Sequence, residues 1–358
     1  NFSIFYYRLT YVKRSVSYHF TVTIMSLSEF DTISQYFNSA RLGFRRSGVS
    51  LGIGDDGAVI DPPQGAPISM SMDLLVEGVH FPVKAESRHI ASRALAVNLS
   101  DLSAMTARPL CFTLGLSLPN LDNDWLEGFS EGLSSMAKRF DCPLVGGDLT
   151  RSPAGTPIVI AIQVHGYHLD NAPVLRSTAQ TGDGVFVTGS LGDGAIGLCS
   201  LGLESHLGSS IALDLAALSE EHRSYLSRAY YAPEPRIDFA LAAASLMTAC
   251  IDISDGLAGD LGHILTSSGV GATVNSTLIP YSLAALAHVS LEGRLQAALY
   301  GGDDYELCFT APAHVAEQLY RIAASENLGL QRIGEITLGS ELRLLNGSGI
   351  EILSQNQA

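Results

Sequence analysis

Aspartates that lie beside glycines or inside apolar segments are the most informative feature of this 358-residue sequence. Carboxylates in such surroundings add nothing to solubility, and several of them buried together repel one another and take up protons unless a cation holds them. Too few lysines and arginines lie nearby to neutralise them all, whereas Mg²⁺ prefers oxygen ligands and is often shared with phosphate groups. The aspartates in this setting are Asp55, Asp56, Asp73, Asp101, Asp148, Asp252, Asp255, Asp303 and Asp304. As a set they predict a site in which Mg²⁺ allows an acidic protein to bind phosphates.

Glycines next to several of these aspartates favour the same chemistry. Three of them surround the Asp-Asp pair in the run LGIGDDGAVID, and Gly146 and Gly147 directly precede Asp148. Glycine allows a close backbone approach, and backbone N–H groups in such turns can bind phosphate oxygens. One glycine turn is a weak signal, and Asp148 or Asp255 taken alone is explained equally well as a helix cap. The complete set is harder to explain in structural terms.

The common nucleotide-binding and nucleophile motifs are missing from the sequence. It contains no P-loop, no protein-kinase catalytic loop, no G-x-S-x-G and no HExxH. A G-x-G-x-x-G stands at residues 192–197 after a predicted strand, as in dinucleotide-binding proteins. That fingerprint also needs a second strand with a terminal acidic residue about 20 positions later, and the segment that follows is predicted to be helical. We therefore interpret residues 192–197 as a tight strand-to-helix turn, with an NAD-dependent dehydrogenase as a distant alternative.

Charge and cysteine content narrow the class of protein. The net charge is −15 and no long basic run occurs, which argues against a nucleic-acid partner. The five cysteines form no CxxC pair and several lie in apolar segments, so we predict buried free thiols in a reducing cytoplasm. The longest apolar run, residues 239–251, is too short to cross a bilayer and predicts a buried helix. We expect a cytoplasmic protein with no membrane partner.

The length of the chain predicts two domains with separate cores. Residues 1–24 contain no acidic residue and precede the first methionine, Met25. We interpret them as a non-native or upstream-translated extension, with a targeting segment as the alternative. A polar segment between residues 167 and 183 predicts the domain boundary, which gives domains at 25–170 and 171–358.

Periodicity places the aspartates on a mixed α/β (α+β) framework. The predicted strands lie at residues 67–73, 111–117, 143–145, 157–167, 185–188 and 305–310. The predicted helices lie at residues 29–37, 88–107, 124–140, 237–249 and 313–325, with further helices after Gly192 and between Asp255 and Gly269. Residues 45–50 are predicted to be a loop. The pattern SD…GGD at residues 100–148 recurs at nearly the same spacing at residues 254–303, which suggests that both halves bring carboxylates to one site.

Two further residues could contact a phosphorylated ligand. His80 follows the strand that carries Asp73, although a lone histidine is more often structural. Arg176 lies in the polar boundary segment, where it could reach a phosphate or be a solvated linker residue. The residues alone leave both alternatives open.

Six runs of the sequence, taken in order, match one known family. The runs read GIGDDGAVI, SMDLLVEGVHF, ALAVNLSDLSAM, LVGGDLTRSP, DISDGLAGDLGHI and GGDDYELCFT, and the resemblance covers about residues 29–310. In this order they resemble the thiamine-monophosphate kinases. The wider superfamily, which includes aminoimidazole-ribonucleotide synthetase and selenophosphate synthetase, shares some of the glycine-aspartate turns. The runs DLLVEGVHF and GGDDYEL favour the thiamine enzymes, and a synthetase of the other two types stays the alternative.

The resemblance implies a two-domain, aminoimidazole-ribonucleotide-synthetase-like fold, with an N-terminal sheet domain that pairs in a homodimer and a C-terminal α/β domain. It implies ATP as co-substrate, several Mg²⁺ ions in the cleft between domains, and direct in-line phosphoryl transfer to thiamine monophosphate without a covalent nucleophile. Matched motif by motif, the metal positions are Asp56, Ser71, Met72, Asp73, Asp101, Asp148, Asp252 and Asp255. The ATP contacts are Gly147, Asp148, Arg176 and Ser254, and the substrate contacts are His80 and Asp303.

The sequence departs from the family pattern at three places. Met72 stands where threonine is common, so a metal contact there must use the backbone carbonyl group. Asp303 stands where glutamate is common, and its shorter side chain would reach the substrate through water. The final run GIEILSQNQA lacks the aromatic segment that packs near the thiamine in the family.

Overall fold

The computed structural model describes residues 32–37, 41–169, 172–203 and 206–356. The extension predicted at residues 1–24 and the beginning of the helix predicted at 29–37 lie outside these ranges. The end of that helix is a short π-helix at Ile33–Phe37. Among the described residues, the strands form a two-stranded ribbon, a four-stranded sheet and a seven-stranded sheet.

The ribbon and the four-stranded sheet belong to the first half of the chain. Their strands are β1 (Val49–Leu51), β2 (Val59–Ile60), β3 (Ile68–Val76), β4 (Arg108–Leu118), β5 (Leu144–Arg151) and β6 (Val159–Tyr167). Strands β1 and β2 form the ribbon, and the sheet has the order β3-β6-β4-β5. Only β4 and β5 are parallel neighbours in this sheet.

Two helices, α1 (Ser87–Ala104) and α2 (Asn123–Arg139), pack against one face of the four-stranded sheet. Helix α2 begins at a side-chain cap, because Asp122 accepts hydrogen bonds from the backbone N–H groups of Asp124 and Trp125. From Ile90 to Ala104, helix α1 is almost completely buried, although this segment contains polar as well as apolar residues. Its polar side chains therefore point into the molecule and need partners there.

Strand β3 has two different faces because successive side chains alternate. Ser71 and Asp73 face α1, where both make hydrogen bonds. Met70, Met72 and Leu74 are exposed on the outer face. Since β3 is also an edge strand, this apolar stripe runs along the border of the sheet.

The seven-stranded sheet forms the centre of the second half. Its strands are β7 (Asp183–Thr188), β8 (Ala249–Asp252), β9 (Gly271–Asn275), β10 (Leu307–Pro312), β11 (Leu330–Thr337), β12 (Glu341–Leu345) and β13 (Glu351–Asn356). They follow the order β13-β12-β9-β11-β7-β10-β8, and all neighbours are antiparallel except β12 and β9. Strand β8, at one edge, packs against α1 of the first half.

Helices cover both faces of this second sheet. They are α3 (Asp193–Ser200), α4 (Glu220–Tyr231), α5 (Ile237–Ala243), α6 (Leu257–Ser268), α7 (Leu283–His288), α8 (Leu291–Tyr300) and α9 (Ala316–Ser325). Short 3-10 turns lie at Gly208–Ser210, Ala244–Leu246, Ser276–Leu278 and Ala313–Val315. Helices α6 and α8 share one core with Val185 and Val187, and α5 and α9 share another with Phe186, so that β7 is buried on both faces.

The prediction of one helix at residues 237–249 is wrong. Helix α5 ends at Ala243, a 3-10 turn follows, and strand β8 begins at Ala249. Most of the segment is apolar because both elements are largely buried, and periodicity cannot separate a buried helix from a buried strand. Helix α6 does end at Gly269 in the left-handed conformation, with a φ of 67°, as predicted.

Two shorter strand predictions also need correction. The strand predicted at 143–145 continues to Arg151, so Asp148 lies within β5 and not in a turn. Asp73, predicted to end its strand, lies inside β3. The loop predicted at 45–50 contains the beginning of β1.

The five cysteines are free thiols, as predicted, and four of them are buried. Over the described ranges, no helix is both long enough and apolar enough to cross a membrane.

Candidate active site

Three aspartates from the two halves of the chain form a group that we name the carboxylate cluster: Asp73, Asp101 and Asp252. Asp101, on α1, accepts a hydrogen bond of 2.5 Å from the Ser71 hydroxyl group on β3. Asp252, at the end of β8, accepts one of 2.7 Å from the Ser100 hydroxyl group on α1. Helix α1 lies between β3 and β8 and thereby connects carboxylates of both halves.

The carboxylate cluster is short of positive charge. Burial, and next the charge of Asp101, raises the pKa of Asp73 to about 6. The same two causes raise the pKa of Asp252. Burial also raises the pKa of Asp101, although the hydrogen bond from Ser71 and the charge of Arg176 act in the opposite direction. A bound cation would favour the ionised form of all three.

The donor atoms of the carboxylate cluster fit Mg²⁺. They are carboxylate and hydroxyl oxygens, which suit a hard divalent ion better than a soft one. In the part of the chain that the structure describes, no three His, Cys, Asp or Glu side chains are placed to bind a metal ion by themselves. Mg²⁺ commonly takes one or two carboxylates from the protein and the remaining ligands from phosphates and water. The Met72 side chain lies on the opposite face of β3 from Asp73, so only its backbone carbonyl group could take part.

The turn between β8 and α6 contains Ser254 and Asp255. Their backbone N–H groups both donate to Oδ2 of Asp260, each at 3.0 Å. Gly256 is needed in this turn, since its φ is 105° and a Cβ atom would lie 2.6 Å from the carbonyl oxygen of Leu299. The Asp255 side chain is exposed and does not cap α6, whose N-cap position is Gly256.

A second acidic group lines a cavity of about 640 Å³ in the first half. Asp55, Asp56 and Asp148 lie on its wall together with glycines 146 and 147, and Phe37 and Leu114 contribute apolar surface. A cavity with an apolar part and a carboxylate-glycine part can hold a nucleoside and, through metal ions, its phosphates.

The two acidic groups are separate. Strand register aligns Asp73 on β3 with Gly147 on β5, three strands apart, which corresponds to about 14 Å. The structure therefore brings most of the predicted metal positions together as two groups, one between the halves and one at the β5 edge, while Asp255 is exposed in the turn after β8.

Arg176 lies in the exposed segment before β7. Its carbonyl oxygen accepts a hydrogen bond of 2.9 Å from the Ser268 hydroxyl group. Its charge is near enough to lower the pKa of Asp101 against the effect of burial. It forms no salt bridge with any described residue, so the guanidinium group is available to an anion beside the carboxylate cluster.

His80 and Asp303, the two predicted substrate contacts, are both bound by Arg93. Nε of Arg93 donates to the His80 carbonyl oxygen at 3.1 Å, and Nη2 donates to Oδ1 of Asp303 at 2.5 Å. Nδ1 of His80 accepts a hydrogen bond of 3.0 Å from the Val76 backbone N–H group. Because Nδ1 is the acceptor in this contact, Nε2 is the ring nitrogen that can donate.

The G-x-G-x-x-G segment is a strand-to-helix turn, as predicted. The backbone N–H groups of Gly192 and Gly194 donate to the Asp304 carboxyl group at 2.7 and 3.0 Å. A dinucleotide phosphate would need these donors. Because a buried side chain of the protein already uses them, the dehydrogenase alternative is not favoured.

Several residues that support the site were missed by the sequence analysis. Oδ1 of Asn98 accepts a hydrogen bond of 3.0 Å from the Asp73 backbone N–H group, and Nδ2 donates to the Ala94 carbonyl oxygen at 2.9 Å. Arg93, Asn98 and Ser100 share a signal that could have identified them. They are polar residues in the apolar helical run SRALAVNLSDL, where an unpaired polar group would be costly.

Comparison with family models defines the class of protein. The model of the AIR synthase related protein N-terminal domain matches residues 54–168, and that of the C-terminal domain matches residues 180–345. The two sheets, with carboxylates between them, are thus those of an AIR-synthase-related protein.

Individual relatives define the family more closely. Thiamine-monophosphate kinase of Escherichia coli (strain K12) is 41% identical over 288 residues, which cover 80% of this chain and 84% of the relative. The chain belongs to the thiamine-monophosphate kinase family, as its motifs predicted. The crystal structure of the kinase from Stenotrophomonas maltophilia K279a has 39% identity and a TM-score of 0.76, covering 85% of this chain and 93% of that chain. The structure of AaThiL complexed with AMPPCP and TMP has 27% identity and a TM-score of 0.68, covering 95% and 99%.

Proposed function

We propose that this chain transfers the γ-phosphoryl group of ATP to thiamine monophosphate and so forms thiamine diphosphate. The observation that carries the proposal is the carboxylate cluster built from both halves. It occurs in a chain that is 41% identical to the thiamine-monophosphate kinase of Escherichia coli over 288 residues. The complex of AaThiL with AMPPCP and TMP supports the same pair of ligands.

The carboxylate cluster is the proposed Mg²⁺ site, to which Ser71, Asp255 and the Met72 carbonyl group contribute further positions. Asp56 and Asp148 would hold metal at the cavity of the first half. Bound Mg²⁺ supplies charge neutralisation and orientation of the phosphate groups. The raised pKa values support this assignment, because burial is the largest cause at all three carboxylates and a protein cation, Arg176, opposes it only at Asp101.

The remaining residues position the two substrates. The acceptor phosphate has a second pKa near ~6 and is largely anionic at neutral pH, so no general base and no covalent nucleophile are needed. The chemical problem is to bring two polyanions together in line. Gly147, Ser254 and Arg176 are the proposed ATP contacts, and the Nε2–H group of His80 can donate to the acceptor. The carboxylate of Asp303 can bind the cationic thiamine ring system.

We also propose a homodimer and a cytoplasmic location. The outer face of β3 exposes Met70, Met72 and Leu74 next to a strand edge, and such an apolar stripe favours contact with a second copy. Five free thiols suit the reducing compartment in which ATP is available.

The test of the activity uses thiamine monophosphate as the only acceptor. We expect the purified protein, with ATP and MgCl₂, to form thiamine diphosphate and ADP in equal amounts, measured by chromatography. ATP consumption only with selenide or with formylglycinamidine ribonucleotide would contradict the proposal and favour a synthetase.

A further inference from the structure

Arg93 on α1 joins three separate segments around the proposed acceptor site. Its side chain is only 4% exposed. Nε donates to the His80 carbonyl oxygen at 3.1 Å, Nη1 to the Tyr230 carbonyl oxygen at 2.8 Å, and Nη2 to Oδ1 of Asp303 at 2.5 Å. One guanidinium group thus connects the segment after β3, the end of α4 and the turn before β10.

Two tyrosines hold this guanidinium group in place. It lies 4.3 Å from the ring centroid of Tyr230 and 5.8 Å from that of Tyr305. The Tyr230 hydroxyl group also donates to the His80 carbonyl oxygen at 3.2 Å, and the Tyr305 hydroxyl group donates to Oδ1 of Asp303 at 3.2 Å. A planar group with donors in fixed directions can serve three acceptors at once, which a lysine ammonium group on the same stem cannot do in this geometry.

These contacts orient the carboxylate of Asp303. Its Oδ1 atom is occupied by Arg93 and Tyr305, whereas Oδ2 accepts no hydrogen bond from any described residue. The Asp303 side chain is 28% exposed and its backbone has a φ of 63°, an unfavourable conformation for a residue with a Cβ atom. The bond from Arg93 therefore helps to hold a strained residue with one carboxylate oxygen directed away from its protein partners.

Arg93 is poorly placed to bind the acceptor phosphate itself. Each of its three nitrogen atoms already donates to a protein oxygen, and the group is buried. Its influence on a ligand would therefore pass through Asp303 and His80.

We propose that Arg93 is a positioning residue that presents Asp303 and His80 to thiamine monophosphate and leaves the binding of ATP unaffected. The inference rests on the proposed kinase function. It adds a residue from the first half of the chain to the recognition of the acceptor and assigns it a role specific to one of the two substrates.

The experiment compares Arg93→Gln and Arg93→Lys with the unmodified protein. We expect Arg93→Gln to raise KM for thiamine monophosphate by roughly tenfold or more, while KM for ATP stays within about twofold of its value in the unmodified protein. For Arg93→Lys we expect a KM for thiamine monophosphate between those of the unmodified protein and Arg93→Gln. Arg236→Gln is the matched control, because Arg236 is also largely buried and its Nε donates to Glu306 at 2.7 Å, close to Asp303 in sequence. A role limited to folding would give the two Arg→Gln variants the same kinetic pattern.

A double variant tests the route of the effect. If Arg93 acts through Asp303, the double variant Arg93→Gln/Asp303→Asn raises KM for thiamine monophosphate by less than the product of the factors that the two single variants produce. Equal rises of both KM values, an unchanged KM for thiamine monophosphate, or losses that multiply would overturn the inference. If Arg93→Gln does not fold, the same comparison is made with Arg93→Lys. Absence of thiamine diphosphate formation by the unmodified protein would instead refute the proposed function.

Discussion

At the residue scale, folding places Asp73, Asp101 and Asp252 where ionisation is unfavourable. Burial is the main cause in each case, and the charge of Asp101 adds to it at Asp73 and Asp252. Hydroxyl groups of Ser71 and Ser100 compensate only in part. Raised carboxyl pKa values are concentrated at functional sites, because a ligand and not the protein supplies the missing charge.

The stability of the metal-free protein should therefore depend on pH. The pKa of Asp73 is about 6 in the folded protein and 3.8 in its ordinary state, so the unfolded chain releases this proton first as pH rises. The contribution of such a group to stability is lost between about pH 4 and pH 7 and does not return above that range. As pH rises over this interval, we expect the melting temperature measured with EDTA to fall. We expect the increase in melting temperature that added Mg²⁺ produces to become larger.

Thermal unfolding at pH 5, 6, 7 and 8, with and without Mg²⁺, measures this effect. Asp73→Asn is the control, since it removes one titrating group and should weaken the pH dependence. A larger effect of Mg²⁺ at pH 5 than at pH 8 would contradict the assignment.

Most of the carboxylate cluster could be predicted from the sequence because an aspartate in an apolar run is conspicuous. The apolar run around Arg93 could have indicated that this residue is buried, but its role could not be predicted, because its partners Tyr230 and Asp303 lie far away in sequence. The separation of the metal positions into two groups was likewise hidden, because it depends on strand order and register.

At the element scale, strand β5 owes its close pairing with β4 to Gly147. A Cβ atom at this position would lie 1.9 Å from the carbonyl oxygen of Leu114, whereas one at Gly146 would meet no atom within 4 Å. We expect Gly147→Ala to destabilise the protein by about 1–3 kcal/mol. Gly146→Ala is the matched control, with a change below about 1 kcal/mol. Urea unfolding measures the free energy of unfolding of both variants, and equal values for the two would contradict this description of β5.

The elements themselves were predictable where apolar and polar residues alternate. Strand β3 and helix α2 each have one exposed face, so their periods are visible in the sequence. Residues 239–251 lie between α1, α9 and the second sheet, and their two exposed residues, Ala242 and Ser245, are too small to mark a polar face, so a helix and a strand there look alike.

At the scale of the whole molecule, the outer face of the first sheet is the proposed contact between two copies. Met70 is 63% exposed on this face. We expect Met70→Glu to convert a dimer into a monomer, because it puts a charge into an apolar interface. Leu338→Glu is the matched control, since Leu338 is 87% exposed but lies in the second half. Sedimentation velocity measures the oligomeric state of both variants. A dimer that persists in Met70→Glu would contradict the proposed interface.

The two halves also meet through α1, which contacts Asp252 through Ser100 and Asp303 through Arg93. The central claim is that carboxylates from both halves hold the Mg²⁺ used in phosphoryl transfer. The most direct measurement is the Mg²⁺ concentration that gives half-maximal formation of thiamine diphosphate in Asp73→Asn and in Asp252→Asn. We predict that it rises about tenfold or more in both variants, or that activity is lost, while each variant stays folded. Near-normal turnover with unchanged Mg²⁺ dependence in either variant would contradict the claim.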